Sequence, residues 1–178
     1  MIQAIQRRLA ARQGDNREGG FTLIELMVVV MIIAILVGIA IPAFLGARKR
    51  AQDTASKSNL RNALSTAQTV FTDTQAYGDS ATLKTSLSNE EPSLTFVANT
   101  VDSAVAKTIS VLTAKTTNSA VEDELILSSA SGSGKCFFLR HVNTAGLATS
   151  GSYMAETATN AACSADDGLA TTLVWKAL

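Results

Sequence analysis

Apolar residues are concentrated in one stretch near the N-terminus. No residue is polar from Leu26 to Ile41, and the apolar run continues through residues 42–45. With the residues from Phe21 onward it forms a span interrupted only by Thr22 and Glu25. A helix needs about 20 apolar residues to cross a bilayer core about 30 Å thick. The run therefore predicts a helix that spans the membrane over roughly residues 21–46.

Two other kinds of segment have a similar run. A fully buried core helix is disfavoured, because the rest of the chain is too small and too rich in Ser, Thr and Ala to surround it. A cleavable secretory signal has an apolar core of about 7–15 residues, whereas this run is longer and contains Pro42. Basic residues lie on both sides of the run, so charge alone leaves its orientation open.

A second apolar pattern follows directly. Apolar residues recur at steps of three and four, among them Leu60, Leu64 and Phe71, and no Gly or Pro occurs in residues 48–75. This spacing predicts an amphipathic helix that continues the first one. We therefore expect one helix over residues 22–74, about 80 Å long.

From residue 76 onward, short apolar runs alternate with Ser, Thr and turn residues, as in strands joined by turns. Residues 80–87 are compatible with a loop or a short helix. The predicted class is α+β, in which an antiparallel sheet in a globular head (76–178) packs on the amphipathic half of the N-terminal helix (21–75). The candidate strands are Leu94–Ala98, Ala104–Leu112, Leu125–Ser128, Cys136–Val142, Tyr153–Glu156 and Thr171–Lys176.

Composition removes several classes of function. The 178 residues include 15 basic and 15 acidic ones, so the basic excess that nucleic-acid binding normally requires is missing. A hydrophobic content of 47% excludes disorder as a description of the whole chain. Two cysteines and one histidine cannot form a closed zinc site from nitrogen and sulfur ligands alone. No catalytic constellation occurs, and we predict neither an enzyme nor a cofactor.

The junction before the apolar run carries the most specific pattern. It reads Gly-Gly-Phe-Thr-Leu-Ile-Glu over residues 19–25 and follows a short leader of net positive charge. This junction resembles the prepilin-type leader of bacterial type IV pilins and of the pseudopilins of type II secretion. The resemblance implies that a membrane peptidase cuts between Gly20 and Phe21, which removes residues 1–20. It also implies that the new N-terminal amine, on Phe21, is methylated.

Glu25 is the fifth residue of the mature chain that the resemblance implies. An ionised carboxylate at the edge of an apolar helix is costly unless it is paired. After cleavage the Phe21 amine is a positive charge at similar depth, on the same chain or on a neighbouring subunit. A pair between subunits would fix the axial register of two packed helices. The alternative is a carboxyl group that is protonated or reaches the lipid headgroups.

Gly38 and Pro42 weaken the apolar half of the helix. Glycine adds backbone entropy, and proline removes a backbone hydrogen bond. Pro42 also matches a proline that the family carries within its N-terminal helix. Because the corresponding stretch can lose helical order in assembled pili of the family, the resemblance implies a kink or local melting between the two residues.

The two cysteines, Cys136 and Cys163, both lie in the head, outside the membrane in the implied topology. An oxidising compartment favours a disulfide between them. A disulfide loop near the C-terminus resembles the variable surface loop of pilins, whereas the major pseudopilins usually lack such a pair. The alternative is two buried free thiols.

Two further motifs resemble ligand sites. Residues 132–135 read Gly-Ser-Gly-Lys, but Ser129 and Cys136 stand where a phosphate-binding loop needs Gly and Ser or Thr, so a hairpin turn is favoured. Asp166 and Asp167 provide too few carboxylates for a convincing calcium site, so a turn is favoured here too. We predict no metal site.

The predicted function is that of a structural subunit of a type IV pilus. The precursor would sit in the inner membrane with its N-terminus in the cytoplasm, be cut once, and polymerise through its N-terminal helix into an extracellular filament. The implied partners are further copies of the chain, the prepilin peptidase and methyltransferase, the pilus assembly machinery and, before assembly, membrane lipid. Nothing in the sequence indicates DNA or a host surface as a partner.

Two alternatives remain. Within the family, the chain could be a pseudopilin of a type II secretion system or a minor or competence pilin. In another class, it could be a single-span, membrane-anchored binding domain that never polymerises.

Overall fold

The computed structural model describes residues 20–103, 107–115, 123–144, 150–157, 163–169 and 173–178. The chain divides into two compact units, Met1–Phe44 and Leu45–Leu178. Helix α1 (Leu23–Thr74) contributes residues to both. Its bounds agree with the single helix predicted over residues 22–74.

Helix α1 begins directly after a capping residue. The Oγ1 of Thr22 accepts a hydrogen bond from the N–H of Glu25 at 3.2 Å, and the carbonyl of Thr22 accepts one from the N–H of Leu26 at 3.2 Å. The first of these bonds satisfies a backbone donor of the first turn that the helix itself cannot satisfy, and the second is the first bond of the helical ladder. In the first unit, α1 then runs without interruption through Gly38 and Pro42.

In the second unit, α1 buries one stripe of small and apolar side chains and ends at a left-handed residue. The buried residues are Ser56, Leu60, Ala63, Leu64 and Ala67. Gln75 follows the helix with a φ of 58°, and its N–H donates to the carbonyl of Phe71 at 2.7 Å. This is a common way for a helix to end, although glycine is the usual residue at such a position.

Residues 80–87, for which the sequence is compatible with a loop or a short helix, are helical. Helix α2 (Ser80–Glu90) has 11 residues and is capped by Asp79, whose carboxylate accepts the N–H groups of Ala81 and Thr82 at 3.0 Å each. Leu83 and Leu87, one turn apart, are fully buried. A short segment with only two buried leucines gives a weak periodic signal, so the cap and the packing determine the helix.

The six-stranded sheet has its strands in chain order. Neighbouring strands are antiparallel except for the first pair, which is parallel. The α+β class and the mostly antiparallel sheet agree with the prediction. The strands are β1 (Thr95–Ala98), β2 (Thr108–Ala114), β3 (Glu124–Ala130), β4 (Cys136–Val142), β5 (Gly151–Thr157) and β6 (Lys176–Ala177).

Two predicted strands differ from the observed ones by more than two residues at one end. The prediction of Ala104–Leu112 began too early, since β2 starts at Thr108, and residues 104–106 lie outside the described residues. The prediction of Thr171–Lys176 was misplaced, because residues 173–175 are irregular and only Lys176 and Ala177 pair with β5. Residues 171 and 172 lie outside the described ones.

The sheet is covered on both faces. On one face, Leu125 and Leu127 of β3 pack in a core with the buried stripe of α1 and with α2. The intervening Ile126 points to the other face, where it packs with Leu112 and with Ala165 of a short 3-10 helix (Ala165–Leu169). Every residue of β3 is therefore buried, as expected for a strand with no solvent-facing side.

Candidate functional site

The predicted cleavage site lies outside the helix. Gly20 and Phe21 precede α1, and the Phe21 side chain is 87% exposed. Within the residues that the structure describes, a Cβ atom placed on Gly20 would meet nothing within 4 Å. The Gly20–Phe21 bond precedes the helical hydrogen-bond ladder, and its cleavage stays a prediction.

Thr22 is a residue whose role the sequence analysis missed. Thr22 and Glu25 have the spacing of a capping box, in which Ser or Thr caps the helix and Glu follows three residues later. The hydrogen bond from the Glu25 N–H to Thr22 Oγ1 is one half of that motif. The signal was in the sequence, just before the apolar run, and it fixes the helix start two residues after the predicted cut.

Glu25 lies in the first turn of α1, among apolar side chains. Its neighbours Ile24 and Leu26 are 71% and 62% exposed. A negative charge is favourable at a helix N-terminus because it faces the positive end of the helix dipole. Among the described residues, no ion pair involves Glu25. A partner for this carboxylate on a neighbouring subunit stays a prediction.

The apolar half of α1 is not covered by the residues that the structure describes. All residues from 21 to 45 are exposed, among them large aliphatic and aromatic side chains. By length and composition, this helix can cross a membrane. Gly38 and Pro42 leave it continuous in the single chain, so loss of helical order in an assembled fibre also stays a prediction.

The disulfide joins β4 to the segment before the 3-10 helix. Cys136 and Cys163 are bonded, with their Cα atoms 5.6 Å apart, as the sequence analysis expects. Both are almost fully buried, in a cluster that includes Phe138 of β4 and the partly buried Trp175. The disulfide thus attaches the segment around Cys163 to the second face of the sheet.

Buried serines hold the disulfide segment on the sheet. The carbonyl of Cys163 accepts three hydrogen bonds, from the N–H of Ser103 at 2.9 Å, the Oγ of Ser103 at 2.8 Å and the Oγ of Ser128 at 2.9 Å. The N–H of Cys163 donates to Asp102 at 2.9 Å. Buried polar groups need such partners. This role was not predicted from the sequence, although Ser128 within an apolar strand was a signal for it.

A second polar cluster joins α1 to the turn between β3 and β4. Asp53 accepts hydrogen bonds from the hydroxyls of Ser131, at 2.7 Å, and Ser133. Burial opposes ionisation of Asp53, but these two hydrogen bonds and the charges of Lys135 and Lys57 outweigh it, so the pKa of Asp53 is lowered. The Gly-Ser-Gly-Lys motif forms the hairpin turn between β3 and β4, as predicted, and the hydroxyl of its serine donates a hydrogen bond to Asp53.

Glu156 of β5 connects the same region to the helix. It pairs with Lys135 at 3.0 Å and with Lys57 of α1 at 3.4 Å. The hydrogen bond from Lys135 lowers the pKa of Glu156. The Lys57 ammonium also lies 4.7 Å from the centroid of the Phe137 ring, a cation–π distance.

The remaining titratable candidates have structural partners. His141 is buried with its Nδ1 2.7 Å from the Oγ of Ser152, and burial lowers the pKa of His141. Asp166 accepts a hydrogen bond from the side chain of Asn99. The carboxylate of Asp167 accepts two hydrogen bonds from Ser164, one from its N–H and one from its hydroxyl. In the part of the chain that the structure describes, no group of three His, Cys, Asp or Glu residues could hold a metal ion.

Comparison with known proteins supports the interpretation of the junction. The model of the prokaryotic N-terminal methylation motif matches residues 15–41. The chain therefore carries the N-terminal motif of type IV prepilins, and its long helix with a mostly antiparallel sheet is a pilin-like architecture. No solved structure matches it significantly.

Two curated relatives are similar to about a third of the chain. The type IV major pilin protein PilA of Myxococcus xanthus is 43% identical over 67 residues, which are 38% of this chain and 30% of that protein. The type IV wide pilus major component PilA4 of Thermus thermophilus is 47% identical over 58 residues, 33% of this chain and 44% of that protein. The chain thus matches less than half the length of either relative.

Proposed function

We propose that this chain is a structural subunit of a type IV pilus. The observation that carries the proposal is the combination of a Gly20–Phe21 bond outside the helix, a capped helix start and an apolar half of α1 that is exposed from residue 21 to residue 45. A monomeric soluble protein does not leave a patch of this size exposed. The methylation motif and the similarity to two major pilins support the same function.

The uncovered helix has two successive environments in this proposal. Before cleavage, it holds the precursor in the inner membrane, with the leader in the cytoplasm. After the prepilin peptidase cuts at Gly20 and the Phe21 amine is methylated, the same surface packs against helices of neighbouring copies. Neighbouring helices can take the place of lipid around the apolar half of α1, because both offer it an apolar environment.

Glu25 sets the register of this packing. Val, Ile and Leu follow one another between residues 26 and 41, so apolar contacts alone distinguish poorly between one axial offset and the next. A Glu25 carboxylate paired with the Phe21 amine of a neighbouring subunit favours one offset. An unpaired carboxylate in an apolar environment is costly, which penalises the other offsets.

The experiment uses host cells in which the expressed chain is the only copy of this subunit. Subunit abundance, leader cleavage and fibres sheared from the surface are then measured. We expect Glu25→Val to give processed, membrane-held subunits with few or no fibres. Thr22→Ser, which keeps the capping hydroxyl, is the control and should give normal fibres. Normal fibre yield from the Glu25→Val chain would contradict the register mechanism.

The leader is tested at two adjacent glycines. Gly20→Val should leave the precursor uncut, whereas the same change at Gly19 should still permit cleavage, because the cut depends on the residue at the bond. Abundant long fibres of the unmodified chain fit only a major pilin. Processed subunits without sheared fibres would fit a pseudopilin, and an uncut unmodified chain would fit the membrane-anchored binding domain.

A further inference from the structure

A groove lies on the second unit, between α1 and the sheet edge formed by β5 and β6. Its volume is about 630 Å³. Phe137 and Met154 provide an apolar floor. Four charged side chains line the groove, namely the cations Lys57, Arg61 and Lys176 and the carboxylate of Glu156. We call this surface the basic groove.

The charges in the basic groove are only partly neutralised. Lys57 pairs with Glu156 at 3.4 Å and covers the ring of Phe137. Arg61 and Lys176 are exposed, and within the described ranges neither of them forms an ion pair. Two cations without a counter-ion beside an apolar floor are complementary to a carboxylate that protrudes from another protein surface.

The opposite edge of the sheet presents such carboxylates. Because the strands follow chain order, β1 lies at the edge opposite β6. Helix α2 ends just before β1 with Glu90 and Glu91, which we call the acidic corner. Glu90 is exposed, and Glu91 is held in place by its N–H, which donates to the carbonyl of Leu87 at 2.9 Å. The carboxylate of the half-buried Glu91 accepts a hydrogen bond from the Ser93 hydroxyl, so Glu90 is the exposed carboxylate of the corner.

We propose that the acidic corner of one copy of this chain binds in the basic groove of the next copy. The two surfaces differ and lie at opposite edges of one sheet, so each of the two subunits keeps one surface free for a further copy after the contact forms. A heterologous contact of this kind produces a ring where the rotation closes and an open helical polymer where it does not, and a filament requires the second outcome. The proposal rests on the filament function proposed above and adds the head surface that specifies the neighbour.

A charge exchange tests the pairing in cells, with the chain as the only copy. Arg61→Glu places like charges at the contact and should reduce the yield of sheared fibres by at least about tenfold, with leader cleavage unchanged. Glu90→Lys should do the same, and the double variant should restore most of the yield. Asn62→Glu, at the neighbouring exposed helix position outside the groove, is the control and should assemble normally. Normal yield from both single variants would overturn the proposal.

Cross-linking tests the geometry without altering the charges. Asn89→Cys and Ala177→Cys place one thiol beside the acidic corner and one in the basic groove. A short bifunctional maleimide applied to sheared fibres should give a ladder of dimers, trimers and longer species, and neither single variant should give one. Fibres without cross-links, or with dimers only, would overturn this contact while leaving the pilus function intact. Absence of fibres from the unmodified chain would instead refute the pilus function.

Discussion

Removal of the disulfide gives the most quantitative prediction for the head. Cys136 and Cys163 are 27 residues apart, so the bond restricts the unfolded chain and contributes about 3–4 kcal/mol by loop entropy. Replacing both residues by alanine avoids placing an unsatisfied hydroxyl in the buried cluster. Since a domain is stable by only about 5–15 kcal/mol in total, we expect a large loss of stability but a folded protein.

The single tryptophan is a suitable reporter. Trp175 packs against the disulfide cluster, so its fluorescence reports unfolding of this part of the head. The full chain in detergent micelles is titrated with urea. With a slope of about 1.5–2 kcal/mol per M, the midpoint of the double alanine variant should fall by about 2 M. Unmodified protein with its disulfide reduced should unfold at a similar concentration, because the same constraint is lost.

A small shift would refute this reasoning. If the midpoints of the variant and the unmodified protein agreed within about 0.5 M, the loss would be less than about 1 kcal/mol. The hydrogen bonds of Ser103 and Ser128 to the Cys163 carbonyl would then hold the segment in place without the covalent bond. A shift in the double alanine variant but not in the reduced protein would assign the effect to packing rather than to loop entropy.

Three further predictions concern the head, each measured by the same urea titration. Burial lowers the pKa of His141, so the neutral side chain contributes stability above about pH 6.5, and this stability is lost as the pH falls below that value. His141→Gln should therefore reduce the change in stability between pH 7.5 and 5.5, by roughly the part that His141 contributes. The pKa of Asp53 is also lowered, so its contribution is lost at acid pH, below about 4, and Asp53→Asn should remove that loss. Gly168→Ala should cost about 1–3 kcal/mol, because its Cβ would lie 2.5 Å from Cγ2 of Ile126, whereas Gly46→Ala meets nothing within 4 Å and should not destabilise the chain.

Features with a strong local pattern could be predicted from the sequence. The long helix is specified by an unbroken apolar run followed by apolar residues at steps of three and four. Strand Cys136–Val142 was predicted with its observed bounds, since alternate residues pack on the two covered faces of the sheet. The junction around Gly20 and Phe21 could be identified because its information is local and needs no knowledge of the fold.

Features that depend on distant partners could not be predicted. β1 pairs with β2 in parallel, and the sequence of neither strand encodes the direction of its neighbour. Strand β6 has two residues, too few for a periodic signal. Ser103 and Ser128 acquire their role only when the fold brings the Cys163 carbonyl to them. The basic groove likewise combines α1, β4 and β5 with the C-terminal segment.

The most direct test of the central claim is the intact mass of subunits from fibres sheared off the cell surface. The account predicts the mass of residues 21–178 with one added methyl group and without the two hydrogens lost in the Cys136–Cys163 bond. Fragmentation should place the methyl group on the amine of Phe21. A subunit that retains residues 1–20, or that begins after Ala40 as a secretory signal would require, would contradict the account.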